Sequence, residues 1–238
     1  MTDLGLTQIR TKMIKIRKSN ERGFANHGWL KSFHTFSFAN YYDLSHMHFG
    51  NLRVINEDFI GAGAGFGKHP HNNMEIITYV ISGSLAHEDS MGTASIILPG
   101  EVQIMSAGTG VFHSEFNHEK NCETHLLQIW ILPKVKEIAP RYDQKSFSGE
   151  FTLVVSGSGR EGSLQINQDA EIFVGKFLSG KTFDFAVKKD RKIWIQIVSG
   201  KISVNGEILE GGDAAAIKNE TEIKIQAEEK SEFLLFDL

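Results

Sequence analysis

Two short histidine motifs constrain this 238-residue chain most: His69-Pro70-His71 and, about forty residues later, His113-Ser114-Glu115. In a strand, residues i and i+2 point to the same face, roughly 6.6 to 6.8 Å apart along the chain. Each motif therefore places two metal-ligating side chains on one face of an extended segment. On neighbouring strands the two pairs would form a site of three imidazoles and one carboxylate. That ligand set suits a divalent first-row transition metal. With octahedral geometry, four protein ligands leave two positions for substrate, water or dioxygen, so the pattern reads as a catalytic centre.

The flanking residues fit strands. His69 follows the low-bulk stretch from Gly61 to Gly67 and precedes the apolar run Ile76 to Ile81, which Ser82-Gly83 bounds. His113 follows the Gly-punctuated stretch Ser106 to Phe112. Glycine beside a ligand lets the backbone come close. His46 and His48 form a rival His-x-His, but they lack the glycine-rich approach and read as a loop. His87, His118 and His125 flank strands and fit ordinary hydrogen bonding, with support behind the ligands as the alternative. His27 and His34 lie in an aromatic segment and fit loop packing better than pocket lining. Phe33, Phe36 and Phe38 are candidates for apolar pocket wall.

With 23 Gly, 4 Pro and 41% hydrophobic residues, the chain suits many short strands joined by tight turns. Apolar runs at 52–55, 76–81, 94–98, 102–105 and 126–132 alternate with turn residues, and no long helical periodicity appears. The segment Ile193 to Val204 echoes Glu75 to Ala86, and Leu209 to Ala214 echoes Leu98 to Val102. The expected organisation is an N-terminal extension (1–12), a metal-binding barrel (13–133), a linker (134–150) and a second barrel (151–238). No His follows His125, and counting back from Gly200 as the first pair lies from Gly83 reaches Ala186 and Lys188. The second barrel has thus lost its ligands. It is expected to pack against the first and narrow access to the metal, with an independent binding role as the alternative.

A net charge of −4 argues against direct nucleic-acid binding, which needs many phosphates neutralised. The single cysteine, Cys122, excludes an internal disulfide framework, fits a reducing compartment, and reads as structural. No apolar run is long enough to span a bilayer, and the N-terminus lacks a signal-like apolar core. The expectation is a cytoplasmic, monomeric protein.

Both histidine segments resemble the sequence motifs of the cupin superfamily. Gly63, His69, His71, Glu75 and Gly83 fill the first motif, and the second runs from Gly100 to His113, with Ser106 where the family has Pro. Glu75 is expected to point away from the histidines, leaving Glu115 as the carboxylate donor. That departure is similar to the pirin family of cupins. The stretches Arg22 to Leu30, Phe33 to Phe38, Phe66 to His71 and Gln103 to Gly110, with His113 and Glu115, also resemble pirin signatures. The resemblance implies an all-β fold of two tandem cupin barrels and activity like that of bacterial pirins with quercetin 2,3-dioxygenase activity. It implies that His69, His71, His113 and Glu115 hold one divalent ion, Fe(II) first, with Mn, Ni, Co, Cu or Zn compatible. The implied substrates are a flavonol and O2, with Glu115 also accepting the 3-hydroxyl proton and carbon monoxide and a depside as products. The alternative is an iron-dependent redox-sensing protein that binds a protein partner without significant turnover.

Overall fold

The computed structural model describes residues 13–238, so the expected extension 1–12 lies outside the described residues. The first half supplies β1 (Met13–Arg17), β2 (Gly23–Asn26), β3 (Leu30–His34), β4 (Leu52–Ile60), β5 (Gly65–His71) and β6 (Glu75–Ser82). It continues with β7 (Leu85–Asp89), β8 (Ala94–Ile97), β9 (Glu101–Ser106), β10 (Val111–Asn117) and β11 (Thr124–Ile131), and β12 (Arg141–Ser146) follows in the segment that leads into the second half. The second half supplies β13 (Phe151–Ser156), β14 (Leu164–Gln165), β15 (Glu171–Phe177), β16 (Thr182–Ala186) and β17 (Lys192–Ser199). After these come β18 (Lys201–Val204), β19 (Glu207–Glu210), β20 (Ala214–Lys218), β21 (Glu222–Ala227) and β22 (Ser231–Asp237). Among the described residues the only helical pieces are three short 3-10 turns.

Each half forms a barrel in which a seven-stranded sheet faces a four-stranded one. The first pairs the order β12-β9-β6-β11-β4-β3-β2 with β5-β10-β7-β8; the second pairs β1-β20-β17-β22-β15-β13-β14 with β16-β21-β18-β19. The small sheets correspond strand for strand, and so do the large ones from β9 to β3 and from β20 to β13, as the internal echo predicts; at the edge β2 is antiparallel to β3 and β14 parallel to β13. Gly83 and Gly200, the turn glycines of that echo, both have positive φ, +77° and +80°.

Edge strands are exchanged. β1, at the start of the metal-binding half, pairs with β20 of the second barrel, whereas β12, inside the expected 134–150 linker, pairs with β9 of the first. The segment between the halves is therefore partly strand, and each large sheet takes an edge strand from chain outside its own barrel. Lys18 Nζ and the Ser19 amide strengthen the first crossing by donating to Asp213 at 2.7 and 2.8 Å.

The outer faces of the two large sheets pack against each other. Ile77, Tyr79, Leu127 and Ile129 join Trp194, Val198, Leu234 and Phe236 in one buried cluster. Strand alternation then sends the intervening residues into the barrels. In the second barrel these are Ile193, Ile195, Ile197, Phe233 and Leu235, which meet Phe185, Ile202, Val204, Ile223 and Ile225 from the small sheet. Ala186 and Lys188, reached by counting from Gly200, are exposed; the inward places on β16 belong to Phe183 and Phe185. Apolar side chains fill the space that a metal site would need.

Trp194 is 3% exposed and rests on Phe36 and Phe49 of the first half, with ring centroids 4.9 and 5.5 Å away. Trp194→Ala should destabilise the protein by about 3–5 kcal/mol. Because the cluster is shared, the loss should appear in urea as a lower midpoint of one transition rather than as early melting of one barrel.

Candidate metal centre

β5 and β10 are antiparallel neighbours, and their register sets His69 opposite His113. On β10 the alternation buries His113 and Glu115 and turns Phe112 and Phe116 outward. A bulge between the His113–His69 and Glu115–Phe66 pairs absorbs one extra residue of β5. At Gly65 an added Cβ would overlap the Glu115 carbonyl oxygen and Phe116 Cα, so any larger residue would push β5 off β10.

Three of the four expected ligands converge. Donor atoms of His69, His71 and His113 lie within 4.8 Å of one another. Their ring centroids are 4.4 to 4.9 Å apart. His69 Nδ1–H donates to the Gly67 carbonyl at 2.8 Å, which leaves Nε2 as the lone-pair nitrogen. His113 is 2% exposed and neither of its ring nitrogens has a hydrogen-bond partner. Burial pushes the His113 imidazole down to about 3, helped by the neighbouring His69, His71 and His87. Burial, with His69 beside it, brings His71 to about 4. Neutral, clustered imidazoles with unused lone pairs fit a divalent cation.

Glu115 is adjacent but differently engaged. Its oxygens accept from Gln128 Nε2 at 3.2 and 2.9 Å, and it groups within 4.8 Å with His113 and His87 rather than with His69 and His71. Complete burial raises its carboxyl to about 7, against the lowering effect of Gln128 and Thr78. His87 stands cross-strand from Glu115 on β7, and its Nε2 lies 3.2 Å from Asp89. It therefore sits directly behind the ligand pair, a position its sequence context leaves open.

Three further histidines are engaged away from this cluster. His46 pairs with Asp43 at 2.6 Å and His48 with the Gly50 carbonyl, both in a loop. His125 stacks on Phe59 with centroids 4.0 Å apart and bonds Glu57 at 2.8 Å. Glu75 is four places from His71, so parity alone would put it on the histidine face. Asn72 to Met74 break the strand, and the Glu75 carboxylate accepts from Ser106 Oγ at 2.7 Å and the Asn167 amide at 3.2 Å, at the seam between barrels. Cys122 is free and exposed.

A cavity of about 520 Å³ opens onto His69, His71 and Glu115. Its walls come from β2 to β5 and β11, with Phe24, Leu30, Phe38 and Phe66 apolar and Ser32, Asn56, Asp58 and Gln128 polar. Of the three candidate wall phenylalanines, only Phe38 lines it; Phe36 belongs to the inter-barrel core and Phe33 stacks on Phe24. His27 and His34, expected to serve packing, both border the cavity, and His34 Nδ1–H donates to Asn56 Oδ1 at 2.9 Å. Every lining residue belongs to the first half, so the second barrel does not narrow this opening as expected. Its contribution is the packing beneath the sheet.

Residues 15–131 match the family Pirin, and residues 153–238 match a family described as the quercetinase C-terminal cupin domain. The chain belongs to the pirin family. It is 50% identical to a quercetin 2,3-dioxygenase of Escherichia coli K12, over 95% of this chain and 99% of that protein. It is 42% identical to a pirin-like protein of Caulobacter vibrioides, over 94% and 99%. The crystal structure of the bacterial pirin YhhW from Escherichia coli in complex with nickel(II) superposes with a TM-score of 0.93 and 50% identity, covering 95% of this chain and 99% of that one. This pirin thus shares both barrels with its relatives. No helix among its described residues is long and apolar enough to cross a membrane.

Asp58 and Glu57 are chain neighbours on opposite faces of β4. Burial raises Glu57, but His125 and Arg22 outweigh it and hold the carboxyl below the ordinary range. Asp58 faces the barrel, and burial lifts it from 3.8 to about 7, with Glu115 and Glu57 adding to the rise. Ionised Asp58 is disfavoured in the folded state, so the penalty is full above about pH 7 and absent below about pH 4. Metal-free Asp58→Asn should therefore melt above wild type at pH 8 by roughly 4–8 °C, equivalent to about 2 kcal/mol in a chain of this size. A thermal-melt series should show that gap closing as pH falls towards 4.

Proposed function

We propose that this pirin is a metal-dependent dioxygenase that cleaves a flavonol such as quercetin with O2. The observation that carries this reading is the buried His113, with two unpartnered ring nitrogens among the described residues, grouped with His69 and His71, which line an aromatic-walled cavity. His69, His71 and His113 would hold the ion, and Glu115 would complete the set as its anionic donor. The relative solved with nickel(II) supports a divalent ion; nothing favours Fe(II) over nickel. When bound, such an ion would supply Lewis acidity towards a substrate oxygen and open positions for small ligands.

The protein's own groups account for the rest. A cavity of about 520 Å³ falls within the usual range for small-molecule sites and suits a planar three-ring substrate. Phe24, Leu30, Phe38 and Phe66 give it apolar faces. Glu115, the anionic group nearest the three histidines on the cavity lining, is placed to accept the proton of the flavonol 3-hydroxyl. Gln128 Nε2 holds that carboxylate through both oxygens and would steady it during transfer.

The test is quercetin consumption in air by metal-loaded protein, alongside metal analysis of protein purified without chelators. His113→Ala should retain little metal and slow consumption by about 100-fold or more, since even outer partners of metal ligands are worth 10–100-fold. Chelation of wild type should abolish turnover and added divalent metal restore it. Equal rates for wild type and His113→Ala would end the dioxygenase reading.

A further inference from the structure

The polar groups around the cavity are mostly answered within the protein. His34 bonds Asn56, and Gln128 bonds Glu115. Two are not. Asp58 Oδ1 and Trp130 Nε1 are both buried without a hydrogen-bond partner among the described residues, and both residues line the cavity. Native proteins rarely leave buried polar atoms unpaired, because each such atom forfeits its hydration without return. Here one unpaired acceptor and one unpaired donor border the same cavity, on the paired strands β4 and β11. The adjacent Glu57, on the opposite face of β4, is paired to Arg22 at 2.7 Å and His125 at 2.8 Å, so the strand does not lack partners in general. The surrounding rings also constrain the ligand: Trp130 meets Phe38 and His71 edge-on, with centroids 5.4 and 5.0 Å away. That arrangement favours a flat molecule carrying oxygens at its rim.

Resting on the flavonol reading, we propose that Asp58 and Trp130 form a recognition subsite for substrate oxygens, separate from the groups that hold the metal. Asp58 accepts a hydrogen bond from a phenolic hydroxyl other than the reacting 3-hydroxyl. Trp130 Nε1–H donates to the ring carbonyl oxygen. The subsite selects polyhydroxylated planar aromatics over bare ones, because Ser32 answers only part of the Asp58 carboxylate and an unhydroxylated ring leaves its Oδ1 buried and unpaired.

The experiment compares quercetin, hydroxylated on both outer rings, with 3-hydroxyflavone, which keeps the reacting hydroxyl and carbonyl and lacks the others. Binding to the metal-loaded full chain is measured by calorimetry under nitrogen, for wild type, Asp58→Leu, Asp58→Asn and Trp130→Phe, with thermal melts to verify folding. Wild type should prefer quercetin. Asp58→Leu should reduce that preference by roughly ten- to a hundredfold, the range expected for one buried hydrogen bond to a charged group. Asp58→Asn keeps an acceptor oxygen and should recover part of it. Trp130→Phe should weaken both ligands, since both carry the carbonyl. A folded Asp58→Leu protein with an unchanged quercetin to 3-hydroxyflavone ratio would overturn the Asp58 assignment, and unaltered affinities in Trp130→Phe would overturn that of Trp130. Binding of neither flavonol by wild type would instead remove the flavonol reading itself.

Discussion

The site depends on the two-residue period of three strands that are buried on both faces. Along β4, β6 and β11, odd-numbered residues such as Ile55, Ile77, Tyr79, Leu127 and Ile129 enter the core between the barrels. Even-numbered residues on the same strands, Asn56, Asp58, Thr78, Gln128 and Trp130, face the first barrel. The strands cannot slip by one place without moving apolar side chains into the cavity and polar ones into the core. Packing against the second barrel thereby fixes the register of residues that meet the metal centre and its ligand. The second barrel acts on the site through the back of the sheet rather than through the mouth of the cavity.

Reciprocal strand exchange makes this support hard to undo. β1 completes the second barrel, and β12, from the segment that leads into the second half, completes the first, so each large sheet takes an edge strand from chain outside its own barrel. Tyr79 Oη also donates to Glu232 across the seam. Long-range pairing of this kind loses loop-closure entropy on folding, a loss offset by a core that neither half could bury alone.

Much of this was legible in the sequence for a simple reason. His69, His71, His113 and Glu115 are close pairs within two motifs, and strand geometry converts their spacing directly into a shared face. The internal echo likewise announces two barrels, because turn glycines such as Gly83 and Gly200 must recur where positive φ recurs. The cavity wall was not legible. Asn56, Asp58, Gln128 and Trp130 come from strands seventy residues apart in parts, and their adjacency exists only once β4 and β11 pair. His87 is hidden for the same reason: it meets Glu115 across β7 and β10. The 134–150 segment reads as linker because the edge strand β12 has one half-exposed face and no continuous apolar run to reveal it. Glu75 is engaged away from the histidines, as expected, but the cause is the strand break at 72–74 and not its count from His71.

The second barrel also serves as an internal control for the first. It has the same paired large and small sheets, the same central strand order, and a matching turn glycine in Gly200. Its interior is filled by Ile, Val, Leu and Phe, so the architecture does not require buried polar groups. The first barrel nevertheless buries two carboxylates, Asp58 and Glu115, each raised to about 7 by loss of solvent. Burying ionisable groups in this way opposes folding and has no structural return when apolar residues can fill the same place. Both carboxylates belong to the cavity lining, whereas the buried Asp237 of the second barrel is answered by Arg191, and that difference locates the chemistry. A group that weakens the fold where its counterpart strengthens it is there for what enters the cavity, and His113, unpartnered at both nitrogens, obeys the same rule.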